Sequence, residues 1–222
     1  MTTTINSMKV NGLLLILMLA PILYLVYIWS SIPATVPLHW NWKGEADNYG
    51  SKEILFWIVL VLNSFIYVLL LILPKIAARK QELEAMGAKY TRLRFVFQFF
   101  VATLSIVIIL MSSDPAPANP TVLLGGCLIL FMLLFGNYVG SIRPNYFIGI
   151  RTPWTLQSDE VWKKTHRLAG RLLMGSALLG MVLLLLLPAS WGMLGVVALL
   201  MGALLIPVFY SFFLFRKLEI TG

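Results

Sequence analysis

The chain has 222 residues, 59% of them hydrophobic and 12% charged, and its mean hydropathy is +0.88. A water-soluble domain of this length needs far more polar surface, so the composition excludes one and points to a membrane protein. A net charge of +8 would suit nucleic acid only if it were gathered into a patch, and the single cysteine, Cys127, excludes an intramolecular disulfide and any multi-cysteine metal site.

An apolar run of about 20 residues crosses the hydrocarbon core as a helix, because a backbone in lipid must satisfy its own hydrogen bonds. Six runs qualify: 10–29, 54–73, 95–111, 122–139, 172–187 and 193–215. The first follows Lys9, exceeds a signal-peptide core in length and lacks a small-residue cleavage site, so it is read as a retained helix. Between the first two runs lies the one substantial outer segment, 30–53, which contains "IPATVPLHWNWKGEADNYGSK". Pro33 and Pro37 stiffen its start and forbid helix there, while Gly44 and Gly50 permit tight turns. Trp40, Trp42 and Tyr49 suit the headgroup level as an ordinary aromatic belt, or equally a lip that meets something arriving from outside, with His39 as a contact.

The second run carries Asn63 and Ser64, and Asn63 reads most simply as an interhelical hydrogen-bonding residue. The third is short and carries Gln98. In the fourth, Cys127 follows Gly125 and Gly126 as small core filler. Gly136 and Gly140 form a G-x-x-x-G, and Gly170, Gly175, Ser176 and Gly180 stud the approach to and body of the fifth; these are read as packing positions where helices approach closely. None of the runs holds a central carboxylate, lysine or arginine, which counts against an ion-driven pump.

The basic residues then orient the chain. Lys9 precedes the first run. Lys75, Arg79, Lys80, Lys89, Arg92 and Arg94 lie between the second and third. Arg143, Arg151, Lys163, Lys164, Arg167 and Arg171 lie between the fourth and fifth, and Arg216 and Lys217 follow the sixth. Only Lys43 and Lys52 fall on the other side, so the positive-inside rule places both termini in the cytoplasm. The basicity is a topology signal that also suits anionic lipid, and no direct nucleic-acid binding is expected. The expected fold is an all-α polytopic membrane protein, a single membrane domain over 1–222 with six transmembrane helices in three hairpins. Its 30–53 loop is expected to be extracellular, as are the shorter "SSDPAPANP" and "PASWG" connections.

The expected cytoplasmic loop, 141–171, is the most distinctive stretch. Pro144 and Pro153 keep its first half extended or turned. Ser158 can cap a helix whose first turn carries Asp159 and Glu160 and which leads into the fifth run. Trp154 and Trp162 are expected at the interface, with Ile148, Ile150 and Leu156 dipping toward acyl chains. The order "NYFIGIRTPWTLQSDEVWKKTHR", with "GN" at 136–137 upstream, closely resembles the signature of the SdpI family, bacterial membrane proteins that give immunity to secreted toxic peptides. Pro37, His39, Trp40, Gly44, Asp47, Tyr49, Ser51 and Lys52 resemble a small domain of unknown function that commonly precedes that signature.

The resemblance implies a non-enzymatic plasma-membrane receptor that protects its bacterium from a secreted peptide toxin and can hold a cytoplasmic transcriptional repressor at the membrane. It makes Asn137, Arg143, Asn145, Gly149, Arg151, Thr152, Pro153, Trp154, Thr155, Glu160, Trp162 and Arg167 the signature positions. Arg151 is expected to pair with Glu160 or a lipid phosphate, giving a rigid cytoplasmic platform; alternatively, the signature only fixes the junction of the fourth and fifth helices. A small transporter or lipid-handling protein, with a cavity around Asn63 and Asn137, is the competing function. An enzyme is not expected: there is no G-x-S-x-G, no H-E-x-x-H and no acidic pair suited to a metal, so neither cofactor nor metal is called for. His39 and His166 lie on opposite faces and cannot share a metal.

Overall fold

The apolar runs form long helices in the computed structural model, which describes residues 2–77, 80–113 and 119–221. In chain order these are α1 (Thr2–Tyr27), α2 (Lys52–Ile76), a short α3 (Lys80–Ala85), α4 (Ala88–Met111), α5 (Pro120–Val139), a five-residue α6 (Pro153–Gln157), α7 (Asp159–Leu186) and α8 (Ala189–Thr221). Among the described residues, six of them (α1, α2, α4, α5, α7 and α8) are long and apolar enough to cross a bilayer. Arg79 and residues 114–118 of the "SSDPAPANP" connection lie outside the described residues.

Helices outrun their apolar segments, most clearly three of them. α4 starts seven residues before the expected 95, α7 begins at Asp159 as one unbroken helix into the fifth span, and α8 continues to Thr221. At 28 residues α7 is about 42 Å long against about 30 Å of hydrocarbon, so its capped, charged first turns extend beyond the bilayer core.

The 30–53 segment is more ordered than a proline-stiffened loop. It contains a β-hairpin, β1 (Thr35–Trp40) and β2 (Ala46–Ser51), paired antiparallel from Thr35 opposite Ser51 to Trp40 opposite Ala46. Pro37 sits inside β1, and the register slips on both sides of His39. Asn41 builds the connecting turn. Its side-chain oxygen accepts from the backbone N–H of Lys43 (2.9 Å) and Glu45 (3.1 Å), and its amide donates to the Glu45 carboxylate (2.9 Å). Gly44 supplies the positive φ of 84° that the turn needs. The "NWKGE" stretch is thus the tip of the hairpin.

Two apolar clusters organise the bundle. One gathers Val36 of β1 with Ile22, Leu25, Ile32, Leu55, Val59 and Ile109, tying the hairpin to α1, α2 and the end of α4. The other runs from Leu70 and Leu93 through Met132 to Trp162, Leu173 and Val196, joining α2, α4, α5, α7 and α8. Between α5 and α7 the small residues act as expected. A Cβ on Gly170 would lie 2.7 Å from the Gly136 carbonyl oxygen, one on Gly136 3.0 Å from the Leu173 Cβ, and one on Gly140 3.5 Å from the Arg167 Cα. Gly180 meets Val196 of α8 in the same way, whereas Gly175 faces open space. Asn63 donates to Ser105 of α4 at 2.8 Å, the interhelical bond its position suggests, and Cys127 is buried.

Candidate functional sites at the two ends of the bundle

At the hairpin end, polar side chains brace the strands. His39 Nδ1 and Asp47 Oδ1 meet at 2.5 Å across β1 and β2. Lys52, at the start of α2, donates to the carbonyls of Trp29 (3.1 Å) and Ile32 (3.4 Å) and lies 4.7 Å from the Trp29 ring centroid. Ser112 at the end of α4 donates to the Pro37 carbonyl at 3.3 Å. The hairpin therefore leans on the bundle instead of standing in solvent. A Cβ on Gly44 would approach Thr121 Oγ1 to 2.1 Å, so only glycine lets the tip settle on the start of α5. Trp42 meets Trp191 of α8 edge to face at 6.3 Å. Beneath this roof lies a cavity of about 230 Å³, walled by Trp40 and Trp42 from the hairpin, Met111 and Leu124 from α4 and α5, and Met193 and Val197 from α8. Tyr49 points outward and Ser51 adjoins the start of α2.

At the opposite end, the signature folds around a residue that sequence reasoning used only to exclude a metal. His166 is fully buried on α7. Its Nδ1 lies 2.8 Å from the Trp162 carbonyl, and its Nε2 accepts from the Ile150 backbone N–H at 3.0 Å, which defines a neutral imidazole protonated at Nδ1. The ring stacks on Trp162 at 4.1 Å and 19°. Trp162 in turn donates its indole N–H to the Ile142 carbonyl at 2.7 Å. Gly149 passes against the imidazole with φ +114°, and a Cβ there would lie 2.3 Å from Nε2. Asn145, also fully buried, holds the preceding turn. Its oxygen accepts from Phe147 N and Ile148 N (2.8 and 2.7 Å), and its amide donates to the carbonyls of Arg143 and Ile148.

Thr152 and Thr155 close the arrangement. Pro153 starts α6, Thr152 accepts from Thr155 N (3.2 Å), and Thr155 Oγ1 accepts from Thr152 N (2.9 Å), so the short helix is capped reciprocally. Thr152 Oγ1 also lies 3.2 Å from Ser211 Oγ, which ties the signature to α8. Ser158 caps α7 through the Val161 N–H, as its position indicates. The structure thus brings together Asn145, Gly149, Thr152, Thr155 and Trp162, and leaves Arg143, Arg151, Glu160 and Arg167 exposed around them.

Several expectations are corrected. Trp162 is wholly buried instead of interfacial, because its N–H finds a carbonyl that water would otherwise have to serve. Ile148 is core and so does not dip into lipid, while Ile150 and Leu156 are half-buried against the same cluster. Arg151 donates to the Tyr146 carbonyl, and Glu160 pairs with Lys164 one helical turn on, at 2.6 Å, so the two do not pair with each other. Trp154, unlike Trp162, is only half-buried, and packs edge to face on Phe212 of α8 at 5.1 Å. Asn63 is enclosed between α2 and α4 while Asn137 is exposed on α5, so they do not share a cavity.

Residues 141–211 match the SdpI/YfhL protein family. Residues 16–62, from within α1 through the hairpin into α2, match the domain of unknown function DUF1648. The chain is also similar to the Immunity protein SdpI of Bacillus subtilis (strain 168), at 24% identity over 212 residues, covering 96% of this chain and 99% of that one. No solved structure matches. With its six spans, the chain is a multi-pass protein of the bacterial plasma membrane. The SdpI region begins at the turn after α5 and ends at Ser211, the α8 partner of Thr152.

Proposed function

We propose that this protein protects its host bacterium from a secreted peptide toxin, with the hairpin end as the toxin-facing side and the signature end as a cytoplasmic platform. The observation that carries the reading is the similarity to an immunity protein along nearly the whole of both chains. The orientation rests on charge. Lys75, Lys89, Arg92, Arg143 and Arg167 belong to one end of the bundle, while at the other Lys43 and Lys52 are balanced by Glu45 and Asp47. What supports a platform is the contrast within the signature: a locked interior around His166 displays Arg143, Arg151 and Arg167 outward on fixed backbone. Such a surface suits a cytoplasmic repressor held at the membrane, and the protein acts as a non-enzymatic receptor.

The test is survival of a toxin-sensitive, immunity-deleted strain expressing this protein under challenge with a panel of secreted toxin peptides, membrane levels being quantified. Protection against one peptide, lost in His39→Ala or Trp40→Ala at unchanged membrane level, supports the reading. Protection from none, with the protein fully inserted, defeats it. Arg151→Ala separates the two ends: loss of folded protein would show that the signature only holds the helices together.

A further inference from the structure

We propose that the cavity under the hairpin tip receives one large apolar side chain at the carboxyl terminus of a peptide, with Lys43 meeting the terminal carboxylate. This rests on the reading of the protein as a receptor for a secreted peptide. The cavity lies where the two family-matched regions meet: Trp40 and Trp42 come from 16–62, and Met193 and Val197 come from 141–211. Junctions of this kind are common places for binding sites.

Its size selects the ligand. An apolar cavity of about 150 Å³ admits a benzene ring, and pockets for whole drug-sized molecules start near 300 Å³. At about 230 Å³ this one takes a single phenyl-, indole- or leucine-sized group. Its walls are indole, thioether and aliphatic carbon, with Asn41 and Thr121 as polar edges, so a charged group is not accepted inside. Two methionines give the walls room to adjust to the group that enters.

Charge selects the rest. Asn41 holds Glu45, and His39 holds Asp47. Lys43 lies in the tip between the lining residues Trp42 and Gly44, exposed, with its ammonium 5.6 Å from the Trp42 ring centroid and no carboxylate partner among the described residues. An apolar group with an anion one or two bonds away satisfies both features, and the last residue of a peptide carries its side chain and carboxylate on the same carbon. Carboxylate capture of this kind is an established mode of peptide recognition.

The experiment uses the full-length protein in phosphatidylethanolamine–phosphatidylglycerol nanodiscs, with calorimetric titration of N-acetyl-Gly-Phe, its C-terminal amide, N-acetyl-Gly-Ser and octanoate. The expected result is binding of the Phe acid at least tenfold tighter than the amide or the Ser peptide. Lys43→Gln should reduce the acid to the affinity of the amide, and Leu124→Trp, which fills the cavity, should abolish binding. Equal affinity of acid and amide overturns the role of Lys43, and octanoate binding as tightly as the Phe acid overturns the peptide as occupant. If Leu124→Trp fails to insert, Leu124→Ala serves: an unchanged preference between Phe and Leu termini in the enlarged cavity overturns the pocket. Protection from toxin that survives in a Leu124 variant unable to bind the acid overturns the pocket and leaves the immunity reading standing. Acid binding by a protein that protects from no toxin does the reverse.

Discussion

His166 and Gly149 make a measurable pair. Replacing His166 with Ala removes the acceptor for the Ile150 N–H and the ring stacked on Trp162. Leaving one partly buried N–H unpaired costs about 1–3 kcal/mol, and losing a stacked aromatic contact costs about 0.5–1.5 kcal/mol, so the variant should lose roughly 1.5–4.5 kcal/mol. Gly149→Ala carries two penalties. Its φ of +114° is strained for any side chain, at about 1–3 kcal/mol, and its Cβ would collide with Nε2 at 2.3 Å. In a His166→Ala background the collision has no partner and only the backbone strain remains. The double variant should therefore be less destabilised than the sum of the singles, by about 1–2 kcal/mol. Unfolding in mixed micelles by sodium dodecyl sulfate, followed by tryptophan fluorescence, measures all four proteins. Additivity within about 0.5 kcal/mol would show that Gly149 and His166 do not meet, and the account of the signature as a fold around this imidazole would fail.

Three further outcomes follow from the packing. Gly170→Ala should disrupt the α5–α7 contact, because its Cβ would press on the Gly136 carbonyl at 2.7 Å, whereas Gly175→Ala, with nothing within 4 Å, should be neutral or better by up to about 1 kcal/mol; folded yield and thermal stability in detergent compare them. Gly44→Ala should lift the hairpin tip from Thr121 and part Trp42 from Trp191, raising the collisional quenching of two tryptophans that are already more than half exposed, and unchanged quenching would refute the docking. Asn63→Ala and Ser105→Ala should couple by about 0.6 kcal/mol, and by no more than about 1.7 kcal/mol, in a double-mutant cycle, as interhelical hydrogen bonds in membrane proteins do, and zero coupling would deny the 2.8 Å bond.

The spans were legible in the sequence because lipid imposes one rule on every residue of a run, and the small residues at 136, 140 and 170 declared close packing for the same reason. Helix ends were less legible. Residues 159–171 are helical although polar because the Ser158 cap and the Glu160–Lys164 pair sustain the helix, whereas 88–94 are held by Tyr90 and Leu93 in the core and by the Tyr90 hydroxyl donating to the Leu70 carbonyl. The hairpin was hidden by Pro33 and Pro37, which argue against a strand as much as against a helix; only the Asn41–Gly44 turn signalled it. His166 was missed because its role depends on Gly149, Ile150 and Ile142, brought to it by a turn whose path no periodicity reveals. The spacing of Trp162 and His166, four residues apart on one helix face, was the available sign.

The two family-matched regions also coincide with physical units, and this bears on how the ends of the molecule act together. The first, 16–62, carries most of one cluster: Ile22, Leu25, Ile32, Val36, Leu55 and Val59 lie within it, and Ile108 and Ile109 of α4 join from outside. The second, 141–211, contains the His166 core, the α7–α8 hairpin and the Thr152–Ser211 tie. The first unit supplies most of its own apolar cluster, whereas the second shares its cluster with α2, α4 and α5. Between them stand α4, whose Ser112 bonds to β1, and α5, whose Gly136 packs on α7. The hairpin tip bridges the units directly through Trp42 on Trp191. An occupant of the cavity beneath that tip would touch both units at once, so its binding energy bears on their relative position.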